Sequence, residues 1–268
     1  MFPKLISLDG FFLPTYGVLV ALGFLAALWI ARRLSLKAGL DPEAVTNLGV
    51  YCAVAGLLGA KLMMLVFDWS YYAQHPAEIF TLRTLQAGGV FQGGLIAALL
   101  TAAVYTKKQN LPRLATADVF APGVALGHGI GRLGCFAAGC CWGVETRLPW
   151  AVTFTRQEAH ELVGVPLGRP LHPTQLYESA AEFLIFAVLY RRFQRPHREG
   201  AIIGMYLALY GGVRFLVEFV RYHQQPNPFG GPLSATQWLA LLLGAVGLYL
   251  WLRGGPDVSS PLRKGSNR

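Results

Sequence analysis

Charged residues are scarce in this chain. They make up 14% of its 268 residues, whereas about 25% of the residues in an ordinary soluble domain are charged. Hydrophobic residues account for 54%, and the mean hydropathy is +0.42. This shortage of charge argues against a soluble globular protein and is typical of a polytopic membrane protein.

The sequence also lacks any heptad repeat, low-complexity tract or linker, and no internal inverted repeat is evident. We therefore predict one integral membrane domain over residues 1–268. A transporter for an anionic solute stays an alternative, although that class is commonly built on inverted repeats.

Cysteine is rare, with four residues. Cys135, Cys140 and Cys141 have the spacing C-x4-C-C, which is not a familiar zinc signature, so we predict no metal site there. Cys52 and these three are expected to be small packing residues. A disulfide among the three is the other possibility, because they are predicted to lie near the oxidising side of the membrane.

Long apolar runs are what the sequence has in abundance. Seven of them approach the roughly 20 residues that cross a bilayer. The runs are 13–32, 47–67, 88–106, 116–137, 174–192, 200–220 and 236–252. We predict an all-α polytopic membrane protein with about seven transmembrane helices.

The basic residues alternate between successive loops, which predicts the orientation. Of the 23 lysines and arginines, fourteen fall in alternate loops and in the C-terminal tail, and such loops are cytoplasmic under the positive-inside rule. This puts the N-terminus outside and the C-terminus, about 253–268, in the cytoplasm. Only Lys4 precedes the first run, so we interpret that run as an uncleaved span rather than a signal peptide. The formal net charge of +9 then reflects topology and implies no nucleic-acid partner.

Two loops on the opposite side are long enough to hold structure. Residues 68–87 and 142–173 are predicted to be periplasmic segments. The first is rich in aromatic residues and suits an interfacial helix. The second contains "WAVTFT", whose alternation predicts a short strand. Function is therefore expected to face outward.

Several charged residues fall inside apolar runs, where each costs about 2.5 to 3.5 kcal/mol unless it has a partner or a task. In "YGGVRFLVEFVR", helical spacing collects Tyr210, Arg214, Glu218 and Arg221 within about 80° of one face. His128 and Arg132 are likewise one turn apart on another helix. The neighbouring glycines permit close approach by a helix or a ligand, and they are Gly127, Gly131 and Gly134.

Each arginine has two possible roles. Buried carboxylates could neutralise the arginines, with Glu218 pairing to Arg214 or Arg221 and Glu182 pairing to Arg132. Three arginines then face two glutamates, and the uncompensated cation favours an anionic ligand. The planar fork of a guanidinium suits a phosphate diester, so we predict a lipid phosphate in this position.

"RPLHPTQLYESAAEF" supplies a third polar element. His172, Gln175, Ser179 and Glu182 are predicted to share one face of a helix that begins near Pro173. His172 either caps the start of that helix or belongs to the site. Two further polar positions occur at the predicted mouths of spans, Tyr16 before Gly17 and Gln92 in "GGVFQGG".

These motifs together resemble one family. "GRLG" followed by Phe and Gly, "HPTQLYE", "YGGVRFLVEFVR", Tyr16-Gly17 and the paired glycines around Gln92 are similar in order and spacing to phosphatidylglycerol:prolipoprotein diacylglyceryl transferase. The resemblance implies a multi-pass enzyme of the bacterial inner membrane with no cofactor. Its substrates would be phosphatidylglycerol, a membrane lipid, and a prolipoprotein signal peptide with a lipobox cysteine. The diacylglyceryl group would move to that thiol, releasing glycerol 1-phosphate.

The resemblance also implies roles for residues. Arg132 and Arg214 would handle the phosphate, with Tyr16, Tyr210, Glu218 and Arg221 around them. The family commonly has a histidine at the position of Gln92, and asparagine and a carboxylate at those of Cys135 and Cys140. A family relative that uses another lipid or acceptor is therefore an alternative.

A thiol attack needs a thiolate and a stabilised leaving anion, and arginines favour both. If a base is needed, His128 and His172 are the candidates, because an amide at Gln92 cannot accept the proton. We favour His128, one helical turn from Arg132.

Overall fold

The computed structural model of the chain describes residues 3–8, 11–81, 84, 88–223 and 227–253. Its contacts group into two compact units, one formed by residues 1–38 and 117–268 and the other by residues 39–116. The predicted cytoplasmic tail beyond Arg253, and Arg83 of the first predicted outer segment, lie outside the described residues. A single membrane domain stays a prediction.

Long helices make up most of the described chain. In chain order the helices are α1 Thr15–Ala38, α2 Pro42–Phe67, α3 Trp69–Gln74, α4 Phe91–Lys108, α5 Arg113–Ala138, α6 Gln157–Val163, α7 Thr174–Phe193, α8 Ala201–Glu218 and α9 Ala235–Leu252. Each of the seven predicted apolar runs coincides with one long helix. The runs could be recognised from the sequence because apolar composition over about 20 residues is a local property.

Among the described residues, four helices are long and apolar enough to cross a membrane: α1, α2, α8 and α9. The predominantly helical membrane class is confirmed to that extent. Seven spans and their orientation stay predictions. α5 and α7 carry several of the buried charged groups of the protein, which lower the mean hydropathy of these helices.

The distribution of polar and apolar side chains between interior and surface is the reverse of that in a water-soluble protein. Large apolar side chains such as Leu57 and Leu62 of α2 and Leu242 of α9 are more than half exposed. Asp118 and Glu182, by contrast, are almost completely buried. An apolar outer surface on this scale needs an apolar environment, and a bilayer provides one.

Small residues allow close helix packing in the first unit. α1 crosses α5 at Gly23 and Gly127, where a Cβ atom on either glycine would lie 2.8 Å from the carbonyl oxygen of the other. This confirms the predicted close approach at Gly127. The Asp118 carboxylate accepts hydrogen bonds from the backbone N–H groups of Gly200 (2.7 Å) and Ile203 (2.8 Å). Asp118 lies in the fourth apolar run, and its carboxylate therefore caps the start of α8.

The second unit is built on the pairing of α2 with α4. A Cβ atom on Gly59 would lie 2.5 Å from the Gly93 carbonyl oxygen, so the second glycine pair of "GGVFQGG" serves helix contact. Lys61 donates to the backbone carbonyl of Thr84 at 2.7 Å, which provides a partner for that ammonium group.

Strands are few and short. Lys4–Leu8 (β1) pairs antiparallel with Phe11–Pro14 (β2), and Val152–Thr153 (β3) pairs with Pro170–Leu171 (β4). β3 confirms the strand predicted in "WAVTFT". In the predicted interfacial segment, α3 is followed by a 3-10 helix, Pro76–Phe80, so the expected helical character is present in its described part.

Candidate active site

Three helices of the first unit bring the predicted charged residues together. Arg132 lies on α5 and Arg214 on α8, while Glu178 lies on α7. Arg221 was predicted to continue the face of α8, but that helix ends at Glu218 and Arg221 lies just beyond it, in a β-bridge with Gly143. We call Arg132, Arg214, Arg221 and the acids that they contact the arginine cluster.

Glu178 is the centre of the arginine cluster. Its carboxylate, 2% exposed, lies 2.5 Å from Arg132 Nη2, 3.1 Å from Arg221 Nη1 and 3.6 Å from Arg214 Nη1. The predicted pairing of Arg132 with Glu182 is therefore wrong. Sequence reasoning missed Glu178, although its spacing of three residues from Gln175 puts both on one helix face.

Glu218 forms the second ion pair of the cluster. Its Oε2 atom lies 2.6 Å from Arg214 Nη1, and Ser234 donates a hydrogen bond to Oε1 at 3.0 Å. The predicted pairing of Glu218 with Arg214 is thus confirmed. Glu182 pairs instead with His128, at 2.9 Å from Nδ1. Three guanidinium groups therefore share two carboxylates within the cluster, and the third buried acid, Glu182, faces His128.

The arginines are paired but not sealed from their surroundings. Their side chains are 11% to 17% exposed, and a cavity of about 350 Å³ lies beside Arg214 and Arg221. Within the described part of the chain, the buried Nε atom of Arg132 has no hydrogen-bond partner. That N–H group suits an anionic ligand.

His128 is oriented by a carboxylate. Glu182 holds its Nδ1 atom, and the ring meets the edge of Tyr210 at 5.4 Å between centroids. With Nδ1 engaged, Nε2 is the nitrogen left for proton transfer, and the side chain is 27% exposed. In this arrangement His128 can act as a general base.

His223 was missed by the sequence analysis, although it follows Arg221 by two residues. It lines the 350 Å³ cavity with Arg214 and Arg221. Its Nδ1 atom is 3.6 Å from Glu218 Oε1, and its Nε2 atom is 3.1 Å from the Glu218 backbone oxygen. Two histidines, each beside a glutamate, therefore belong to this unit.

The "HPTQ" segment holds the loop that carries the cysteines. Gln175, fully buried, donates to the Cys140 carbonyl at 2.5 Å, and Thr174 donates to the Cys141 carbonyl at 2.6 Å. These contacts give Gln175 a positioning role. Pro173, and not His172, occupies the N-cap position of α7, and the Nδ1 atom of His172 lies 3.2 Å from the Tyr177 hydroxyl.

The cysteines are free thiols. The Sγ atoms of Cys135, Cys140 and Cys141 lie within 4.8 Å of one another. Hydrogen bonds from Cys135 and Cys140, helped by the positive charges of Arg221 and Arg132, lower the pKa of Cys141, whereas hydrogen bonds with Cys135 and Cys141 and burial raise the pKa of Cys140. Cys52 lies in the second unit, where its thiol faces the Ala98 carbonyl oxygen at 3.5 Å.

The remaining predicted residues are spread over both units. A Cβ atom on Gly134 would lie 3.2 Å from the ring of Tyr16, so these two residues pack together, whereas a Cβ atom on Gly131 would meet no atom within 4 Å. Room for a ligand therefore exists at Gly131. Gln92 is exposed in the first turn of α4, in the second unit, and its catalytic role stays a prediction.

Comparison with known sequences agrees with the motifs. A family described as prolipoprotein diacylglyceryl transferase matches residues 3–253. Proteins named phosphatidylglycerol–prolipoprotein diacylglyceryl transferase are similar over most of their length. The one from Clostridium tetani is 34% identical over 94% of this chain and 97% of its own. The one from Finegoldia magna is 33% identical over 92% and 93%, and that of Vibrio vulnificus strain YJ016 is 35% identical over 93% and 90%.

The match covers all three helices that build the arginine cluster, as well as the loop that carries the cysteines. This chain belongs to the prolipoprotein diacylglyceryl transferase family.

Proposed function

We propose that this protein transfers the diacylglyceryl group of phosphatidylglycerol to the thiol of the lipobox cysteine in a prolipoprotein signal peptide. The products are a thioether and glycerol 1-phosphate. The observation that carries the proposal is the convergence of Arg132, Arg214 and Arg221 on one buried carboxylate beside an open cavity. Family membership and the names of the relatives support the same reaction.

Both substrates are membrane-bound, so we propose that the enzyme works inside the bilayer. Its seven long helices are the transmembrane spans, with the N-terminus outside and the C-terminus cytoplasmic, in the bacterial inner membrane. The apolar outer surface and the alternation of basic loops support this arrangement. Residues 68–87 and 142–173 then face the periplasm.

The phosphate diester is bound by the arginine cluster. Arg132 and Arg214 contact its oxygens, and Arg221, Glu218 and Tyr210 surround them. The unpartnered Nε atom of Arg132 and the open space at Gly131 support this role, since a guanidinium can donate two parallel hydrogen bonds to one phosphate. Tyr16, packed on Gly134, borders the same helix face.

The reaction exchanges one bond for another at a glycerol carbon. The lipobox thiol loses its proton, its sulfur bonds to that carbon, and the bond from carbon to phosphate oxygen breaks. The arginines stabilise the charge that develops on the leaving phosphate. His128, oriented by Glu182, is the proposed proton acceptor, and His172 is the secondary candidate.

The test is a lipid-transfer assay with the purified protein, phosphatidylglycerol vesicles and a lipobox peptide. Arg132→Ala and Arg214→Ala are each expected to lower kcat about 100- to 1,000-fold, as removal of a charge-stabilising donor does. Arg33→Ala, at an exposed arginine stacked on Trp29, is the matched control. Near-full turnover in both cluster variants would refute the proposal.

The alternative of another lipid or acceptor has its own test. A bacterial strain that lacks the transferase is supplied with this chain, and the modification of an endogenous lipoprotein is followed by mass spectrometry. A diacylglyceryl thioether on the lipobox cysteine is the expected product. A different lipid on that cysteine, or none, would favour the alternative.

A further inference from the structure

Cys135, Cys140 and Cys141 form a compact three-thiol site beside the arginine cluster. Their sulfur atoms lie within 4.8 Å of one another. In a tetrahedral zinc site with Zn–S bonds of about 2.3 Å, neighbouring sulfurs are about 3.8 Å apart. Small side-chain adjustments would therefore bring all three sulfurs onto one ion.

The backbone holds these thiols in place. The chain turns back at the end of α5 through Gly139, whose φ is +83°, and the N–H groups of Gly139 and Cys140 both donate to the Cys135 carbonyl. Cys141 itself has φ of +61°, an uncommon conformation for a residue with a side chain that persists only where the surroundings impose it. Gln175 and Thr174 hold this conformation by donating hydrogen bonds to the carbonyl oxygens of Cys140 and Cys141, respectively.

Positive charges lie beside the thiols, and one side of the site is open. Arg132 Nη1 lies 4.0 Å from Cys135 Sγ, and Arg221 lines the same cavity as Cys141. Cys135 is buried, whereas Cys140 and Cys141 are only partly buried. A metal ion bound by the three sulfurs would thus have protein on one side and, through Cys141, the cavity on the other.

We propose that Cys135, Cys140 and Cys141 bind one Zn²⁺ ion, and that its open fourth position receives the lipobox cysteine of the peptide substrate. Three protein ligands with one exchangeable position are the arrangement of catalytic zinc sites, and thiolates select Zn²⁺ among abundant divalent ions. The spacing C-x4-C-C did not predict this site because the fold, not the sequence interval, brings the sulfurs together.

This inference rests on the proposed function. At the metal, the S–H bond of the substrate breaks and a Zn–S bond forms, and the proton passes to His128, the acceptor named in the proposed function. The bound sulfur then forms its bond to the glycerol carbon as the bond from carbon to phosphate oxygen breaks. The resulting thioether is a weak ligand that leaves zinc, so the three-thiolate site is regenerated with no net oxidation or reduction.

The first test is metal content. The full-length protein, purified in detergent without chelators, is analysed by inductively coupled plasma mass spectrometry, with about one zinc per chain expected. Cys135→Ser, Cys140→Ser and Cys141→Ser should each lose most of the zinc, whereas Cys52→Ser should retain it. Copper in place of zinc, no metal, or a disulfide that consumes two of the three thiols would overturn the proposal.

A second measurement needs no variant, so misfolding cannot obscure it. X-ray absorption at the zinc edge is recorded for the unaltered protein alone and with a lipobox peptide. We expect three sulfur ligands at about 2.3 Å alone and four with the cysteine peptide, but three with a peptide in which serine replaces the cysteine. A count that stays at three with the cysteine peptide would contradict the substrate role.

Lipid transfer separates the two proposals. Chelation of zinc should abolish transfer of the diacylglyceryl group, and added Zn²⁺ should restore it. Full transfer by metal-free protein would overturn the zinc inference and leave the proposed function intact. A zinc site that gains a fourth sulfur from the peptide, in a protein that transfers no lipid, would overturn the proposed function and leave the metal site intact.

Discussion

Glu178 Oε2 and Arg132 Nη2 lie 2.5 Å apart, and the same carboxylate also contacts Arg221 and Arg214. One buried acid on α7 therefore holds arginines from two other helices and from the loop after α8. Replacement of Glu178 by Gln would leave buried cations with no full counter-charge, and we expect a loss of about 3 to 5 kcal/mol in the free energy of unfolding.

Thermal unfolding in detergent measures that loss. Glu145→Gln is the matched control, because Glu145 pairs with Arg169 at 2.6 Å on the exposed surface, where such pairs contribute about 0 to 1 kcal/mol. Equal shifts in Tm for the two variants would show that Glu178 does not organise the cluster.

Two glycines on α5 are expected to respond oppositely to substitution by alanine. Gly127→Ala should destabilise the protein by about 1 to 3 kcal/mol, because the new methyl group would overlap the Gly23 carbonyl. Gly131→Ala meets no atom within 4 Å and should preserve or slightly raise stability. If this space holds the lipid headgroup, Gly131→Ala should raise KM for phosphatidylglycerol. An unchanged KM would remove Gly131 from the lipid site.

His128→Gln tests the proposed base. Loss of a general base lowers turnover about 100- to 10,000-fold, and the limb of the pH–rate profile that reports its deprotonation should disappear. His172→Gln should keep that limb, since its Nδ1 atom bonds to the Tyr177 hydroxyl instead of a carboxylate. If the pH–rate profile of His128→Gln is the same as that of the unaltered protein, His128 is a packing residue and not the base.

His223→Gln is compared in the same experiment, because this residue lines the cavity beside Glu218. If the limb of the pH–rate profile that reports deprotonation disappears in His223→Gln and persists in His128→Gln, His223 is the proton acceptor and the assignment to His128 is wrong.

Asp118 is expected to be a purely structural acid. Asp118→Ala removes the acceptor of the Gly200 and Ile203 N–H groups at the start of α8, and the loss of a helix cap costs about 1 to 2 kcal/mol. Asp118→Asn, which retains one acceptor oxygen, should lose less. Thermal unfolding gives the stability, and kcat of the folded fraction should stay within about twofold in both. A large fall in kcat would point to a role beyond capping.

The sequence by itself determined the helices and the identity of many charged site residues. Apolar composition and helical periodicity depend on neighbours within a few turns, so the seven runs and the shared face of Tyr210, Arg214 and Glu218 could be recognised without a fold.

Only the tertiary structure decided how those residues meet. Arg132 pairs with Glu178 and not Glu182 because the rotation and depth of α7 against α5 select one carboxylate out of two on the same helix. Three sulfurs separated by five and six residues converge because a left-handed turn and two side-chain hydrogen bonds fold the loop back on α5. Such pairings depend on contacts between distant segments, which local sequence patterns do not contain.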